Sequence, residues 1–169
     1  MPQELAIIAL MLAPMYAANS TAMLLGGKTP LDFGMKFMGK QLFGNGKTWK
    51  GTFFGILGGT IAALIISLAF PGSNILFGAN YVDFGFLLSS GAVIGDIAGS
   101  FVKRRLGIGS GQPAPLLDQT DFVFGALAFA SLIYLPQLIE LVAMLIVTII
   151  AHRLVNVIAF KLKIKKVPW

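Results

Sequence analysis

Cysteine is absent from this chain of 169 residues, which excludes disulfides, thiolate-bound zinc, iron–sulfur clusters and thiol nucleophiles. Histidine occurs once, as His152, so the multi-imidazole sites of most zinc and non-haem iron enzymes are excluded too. Acidic side chains are scarce, seven Asp and Glu in all, and charge of either sign makes up 12% of the residues against 56% hydrophobic. With a mean hydropathy of +0.82, the composition belongs to the membrane class, because a water-soluble core of this size has no use for so much apolar surface. The first residues lack the basic cluster that opens a cleavable signal peptide. A net charge of +6 does not point to nucleic acid, since the cations alternate with apolar stretches instead of gathering on one soluble face.

What is present in quantity is apolar sequence of spanning length. Stretches at about 5–25, 52–70, 84–102, 121–135 and 138–160 predict an all-α integral membrane protein with five transmembrane helices in a single domain covering 1–169. The fourth stretch is short for a span and is expected to begin inside protein. Lys28, Lys36, Lys40, Lys47 and Lys50 fall in the first loop (26–51), Lys103, Arg104 and Arg105 in the loop at 103–120, and Lys161, Lys163, Lys165 and Lys166 in the tail. The N-terminus and the connections at 71–83 and 135–137 carry neither Lys nor Arg. By the positive-inside rule the N-terminus is outside, the C-terminus is cytoplasmic, and a multi-pass protein of the cell membrane faces its chemistry to the cytoplasm.

Gly51, Gly55 and Gly59 repeat every four residues, as do Gly91, Gly95 and Gly99, a spacing that lets helix backbones approach closely in lipid. The first cytoplasmic loop is longer than packing requires. Its Phe33, Phe37 and Met38, interleaved with Lys36 and Lys40, predict a short helix lying at the membrane surface. The loop closes on Gly46-Lys47-Thr48, which is not a nucleotide-binding P-loop: that pattern needs glycine five residues before Gly46, where Gln41 stands. A glycine-rich turn offering Lys47 to a phosphate is the better reading. In the last span, Arg153 beside His152 and Asn156 either snorkels to the surface or lines a polar cavity, and the sequence leaves both open.

The most unusual charge lies between Gly91 and Asp121. Asp96 sits inside an otherwise apolar helix, where a carboxylate is costly and is a functional candidate by default. On one helix Asp96, Ser100 and Lys103 share a face, and Asp118 and Asp121, three residues apart, share the face of the next. Two helix ends can thus point three carboxylates at one volume beside Lys103, Arg104 and Arg105. Hard carboxylate oxygens suit Mg²⁺, and Lys and Arg suit phosphate oxygens, so the set fits a divalent cation with a polyphosphate. Glu140, at the start of the last helix, reads as a helix-capping residue. A small cation or metal transporter using Asp96, Asp118 and Asp121 as its ion path is the alternative from another class; it would more naturally carry charge on both faces of the membrane.

Gly95-Asp96-Ile-Ala-Gly-Ser100-Phe-Val-Lys103-Arg104 followed by Asp118-Gln-Thr-Asp121 resembles the CTP-dependent cytidylyltransferases of phospholipid synthesis, whose signature runs Asp, Ser-x-x-Lys-Arg, then Asp-x-x-Asp. The Lys-Asp after Lys-Arg and the His-Gly-Gly before the final Asp pair, found in bacterial and eukaryotic CDP-diacylglycerol synthases, are missing. With Asn19, Pro30-Leu-Asp32, Gly46-Lys47-Thr48-Trp49-Lys50-Gly51 and Arg104-Arg105-Leu-Gly107 added, nearly the whole chain resembles the archaeal CDP-archaeol synthase family instead. That resemblance implies transfer of CMP from CTP to an isoprenoid glycerol-phosphate lipid bearing two geranylgeranyl chains, with release of pyrophosphate. It implies Mg²⁺ on Asp96, Asp118 and Asp121, catalytic roles for Lys47, Lys103, Arg104 and Asp96, and nucleotide contacts from Asn19, Asp32, Lys47, Thr48, Ser100, Lys103 and Arg104.

Overall fold

The computed structural model describes residues 2–161 and Lys163; the tail lysines Lys165 and Lys166 and the side chain of Asn156 lie outside the described residues. The described elements are α1 (Pro2–Leu24), β1 (Lys36–Phe37), β2 (Lys40–Gln41), α2 (Trp49–Ala69), α3 (Gly72–Phe77), α4 (Tyr81–Arg105), α5 (Leu117–Ala130) and α6 (Leu138–Lys161). Among the described residues, three segments are long and apolar enough to cross a membrane: Gln3–Leu24, Trp49–Ala69 and Tyr81–Arg105. The protein is thus mostly helical. α5, expected at 121–135, starts four residues earlier and ends at Ala130; its 14 residues rise only about 21 Å, short of the roughly 30 Å apolar thickness of a bilayer.

Local chemistry sets the helix limits. The hydroxyl of Thr48 accepts from the Gly51 N–H at 3.1 Å and starts α2. Asn80 does the same for α4, its side chain accepting from Val82 and Asp83. The connection at 71–83, read from sequence as loop, contains α3, which turns off at Gly78 with φ 62°. Glu140 caps as expected, its carboxylate accepting from the Gln137 N–H at 2.8 Å and from the Tyr134 hydroxyl at 2.8 and 2.9 Å.

The core lies where α1, α2, α4 and α5 meet, around Met11, Met15, Phe84, Leu88, Phe122 and Val123. Facing outward, Phe53, Ile61, Leu68 and Leu154 are exposed, as a lipid-facing surface requires. The glycine spacing in α4 works as expected. A Cβ on Gly95 would lie 2.3 Å from the Asp121 carbonyl oxygen and 2.9 Å from the Gly125 Cα, and one on Gly99 would fall within the Asp121 side chain. α4 and α5 therefore cross backbone to backbone at Asp121.

The first loop differs from the sequence expectation. In place of an interfacial helix it forms an antiparallel hairpin pairing Lys36 with Gln41 and Phe37 with Lys40. The two turn residues, Met38 and Gly39, have φ 52° and 77°, the left-handed pair that closes a two-residue hairpin with the twist of its strands. No right-handed helix accommodates two consecutive left-handed residues, so the turn at Met38 and Gly39 excludes the expected helix. The base of the loop is closed by an antiparallel bridge between Pro30 and Thr48 and by the Leu31 N–H donating to the Lys47 carbonyl at 2.7 Å.

Candidate active site

A cleft of about 940 Å³ opens at the loop end of the bundle, lined by α1, the turn at 45–48, α4, the segment 111–115, the start of α5 and the end of α6. Two ion pairs occupy it. Lys47 Nζ donates to Asp96 Oδ2 at 2.6 Å, and Lys103 Nζ donates to Asp118 Oδ1 at 2.7 Å. The first joins the first loop to α4, and the second joins the end of α4 to the start of α5. All four side chains retain partial solvent exposure, so the charges are neutralised but accessible.

The sequence-predicted residues divide into two groups. Asn19, Lys47, Thr48, Asp96, Lys103 and Asp118 border the cleft. Thr48 is engaged, its hydroxyl accepting from both Gly27 and Gly51 N–H at 3.1 Å. Asp32, Ser100, Arg104 and Asp121 are not among the lining residues. Asp121 lies directly behind, under the Gly95 and Gly99 backbone, with Oδ1 accepting from the Phe122 N–H at 2.7 Å; it is within electrostatic reach of Asp96, Lys47 and Asp118. Arg104 is 7% exposed, and its Nε and Nη1 find no hydrogen-bond partner among the described residues. A buried cation with open donors is a costly arrangement that an anion would relieve.

Asp32 holds the loop together. At 2% exposure, its Oδ1 accepts from the Gly34 N–H and its Oδ2 from the Phe43 N–H, both at 2.9 Å. Burial alone would raise its pKa; the backbone donors of Phe43 and Gly34 outweigh that and hold it below the usual carboxylate value. Both oxygens being engaged, Asp32 shapes the loop that carries Lys47, and a direct contact to a nucleotide would require breaking those bonds.

The expected convergence of three carboxylates is realised as two in the cleft and one behind it. Among the described residues no group of three acidic or imidazole side chains stands close enough to hold a metal ion; Asp96 and Asp118 are each turned onto a lysine. The donors are nonetheless all hard carboxylate oxygens, the type that Mg²⁺ takes. One oxygen of Asp118 is already fixed by the Ala114 N–H at 2.8 Å, which orients that carboxylate.

Sequence reasoning missed Arg105 as a structural clamp. Its Nη2 donates to the Gln41 carbonyl at 2.6 Å and the Lys40 carbonyl at 3.3 Å, and its Nη1 donates to the Phe37 carbonyl. The guanidinium lies 5.4 Å and 5.1 Å from the Phe37 and Phe101 ring centres, so the end of α4 grips the hairpin. It also missed the wall formed by Gly111, Gln112, Pro113, Ala114 and Pro115, whose Gly/Pro content announces a loop and nothing of its position.

A family model described as "CarS-like: CDP-archaeol synthase" matches residues 3–169. The chain is 46% identical over 159 residues to a CDP-archaeol synthase of Pyrococcus abyssi, covering 92% of this chain and 93% of that one. It is 46% identical over 167 residues to a CDP-archaeol synthase of Methanocaldococcus jannaschii, covering 92% of each. A solved structure described as "Structural insight into an intramembrane enzyme for archaeal membrane lipids biosynthesis" superposes with a TM-score of 0.80 at 38% identity, over 88% of this chain and 91% of that one.

Proposed function

The chain belongs to the CDP-archaeol synthase family, and from that premise we propose how its cleft carries out the reaction. The protein is an intramembrane cytidylyltransferase that forms CDP-archaeol from CTP in archaeal lipid biosynthesis. The family assignment displaces the transporter alternative. The acceptor in this reading is a glycerol phosphate ether-linked to two geranylgeranyl chains. A phosphate oxygen of the acceptor attacks the α-phosphorus of CTP, the bond from that phosphorus to the bridging oxygen breaks, and pyrophosphate leaves with the electron pair. A phosphate monoester is largely ionised at neutral pH, its second pKa being near 6, so no general base is needed.

The observation that carries this reading is the pair of short ion pairs, Lys47 to Asp96 and Lys103 to Asp118. The difficulty of the reaction is electrostatic: two anions must meet, and charge must flow onto pyrophosphate. Lys47 and Lys103 already point into the cleft and can exchange a carboxylate for phosphate oxygens. Arg104 supplies a further cation with open donors. Asp96 and Asp118, so released, together with Asp121, would hold Mg²⁺. Bound there, Mg²⁺ would neutralise triphosphate oxygens and stabilise the leaving group. Asn19 contacts the nucleotide from α1, while Asp32 and Thr48 act by fixing the loop that carries Lys47.

Five crossings, with α5 embedded in protein and the cleft facing the cytoplasm, complete the proposal. The lysines and arginines of the first loop, of 103–105 and of Lys161 and Lys163 all lie at the cleft end, and Glu4, Asp83 and Glu140 at the other. The test is release of labelled pyrophosphate from each of the four ribonucleoside triphosphates, with and without lipid phosphate and with and without Mg²⁺. Release that depends on CTP, lipid and metal together is expected. Release indifferent to the lipid or to the metal would overturn the assignment.

A further inference from the structure

The two long helices α1 and α6 meet, and both reach the cleft. Deep in the bundle the Tyr16 hydroxyl donates to the Thr148 carbonyl at 3.5 Å. A turn or two further on, Asn19, Ala22 and Met23 of α1 and His152, Arg153 and Val157 of α6 border the cleft. The cleft thus has three lining cations in two places. Lys47 and Lys103 stand on the loop and α4 side, each on a carboxylate. Arg153 stands on the α1/α6 side, exposed, with no ion pair among the described residues.

Resting on the family reaction, we propose that Arg153 binds the phosphate of the lipid acceptor, and that this phosphate reaches the cleft between α1 and α6. The two substrates arrive from different phases. The nucleotide comes from water over the loops, whereas an acceptor with two isoprenoid chains leaves those chains in the bilayer and must bring its phosphate in past helices. The α1/α6 side offers such a route, and its margins are apolar: Met23 and Leu24 are 68% and 74% exposed, Leu154 is 57% exposed, and Val157 faces the cleft. A guanidinium is the side chain for this task, because its planar fork matches two phosphate oxygens and it keeps its charge beside apolar surface. Lys47 and Lys103 are left for the triphosphate, so the two anions are held by separate cations.

The experiment compares wild type, Arg153→Gln and Arg153→Lys in detergent, reading the KM for lipid phosphate, the KM for CTP and the rise in melting temperature with CTP and Mg²⁺. Loss of a charged hydrogen-bonding partner should raise the KM for lipid phosphate about tenfold or more in Arg153→Gln. The KM for CTP and the CTP-dependent stabilisation should stay as in wild type, and Arg153→Lys should recover part of the loss. An unchanged KM for the lipid would make Arg153 a headgroup anchor and overturn the proposal. A matching loss of CTP affinity would move Arg153 to the nucleotide side and overturn it equally. Stabilisation of wild type and Arg153→Gln by the lipid phosphate alone, without nucleotide, is measured in parallel. It reads the subsite even if no CDP-lipid forms, so failure of the reaction and failure of the subsite register separately.

Discussion

Replacing Gly95 by alanine adds one methyl group at the crossing of α4 and α5, and the structure fixes what it meets. The new Cβ would lie 2.3 Å from the Asp121 carbonyl oxygen and 2.9 Å from the Gly125 Cα. Ordinary contact begins at 3.4 Å, so the closer pair is short by about 1 Å on the van der Waals scale. Both obstacles are backbone, and no side-chain rotation relieves them; the helices must separate. Overpacking of this kind costs about 1–3 kcal/mol, which should lower the melting temperature by several degrees. The effect on turnover should be larger. Asp118 and Asp121 ride on α5, while Asp96 and Lys103 ride on α4. A misplacement of about 1 Å in a catalytic constellation costs on the order of 100-fold, equivalent to about 2.7 kcal/mol of barrier. The assay is CTP and lipid-phosphate turnover with melting measured on the same preparation, and Gly72→Ala is the control, since nothing lies within 4 Å of its added methyl. Turnover and melting close to wild type in Gly95→Ala would refute the claim that this crossing sets the site.

Asp96→Asn should lower turnover by an amount corresponding to about 3–5 kcal/mol of lost electrostatic stabilisation while leaving ligand-free melting nearly unchanged, because Lys47 keeps access to solvent; parallel losses of both would make Asp96 a structural partner only. Arg105→Ala should free the hairpin to proteolysis near Met38 while leaving the KM for CTP close to wild type, because the loop base is closed separately at Thr48; hairpin protection equal to wild type would show that the clamp is dispensable. For orientation, Gly72→Cys should react with an impermeant thiol reagent from outside and Ser110→Cys only from the cytoplasmic side, both positions being exposed and native cysteines absent; the reverse pattern would invert the proposed topology.

The sequence made the long helices legible because their apolar runs and the glycine spacing are read over many residues, and one substitution changes little. It also made Asp96, Lys103 and Asp118 legible, since a charge in an apolar helix has few explanations. The hairpin was hidden for the opposite reason: it turns on two residues, and Met38 at φ 52° is an uncommon occupant of that conformation. Arg105 was hidden because its partners are carbonyl oxygens, which every residue has. Arg153 could not be placed between surface and cavity by periodicity alone, as that distinction depends on how α6 is rotated against α1. The separation of Asp121 from the cleft was likewise invisible, because the shared face of Asp118 and Asp121 says nothing about which of them the Gly99 backbone covers.

The closed base of the first loop makes it a mechanical ring. Thr48 closes that ring from the Lys47 side, its hydroxyl joining Gly27 to Gly51 and its backbone bridging Pro30. Whatever happens at the far tip, around Met38 and Gly39, is therefore insulated from the lysine that faces Asp96. Insertions or deletions should be tolerated at that tip and punished at the base, and a length change of a few residues there should alter how the loop meets the membrane surface without moving the ammonium group. A foreign peptide placed between Met38 and Gly39 becomes a practical handle on an enzyme largely embedded in lipid.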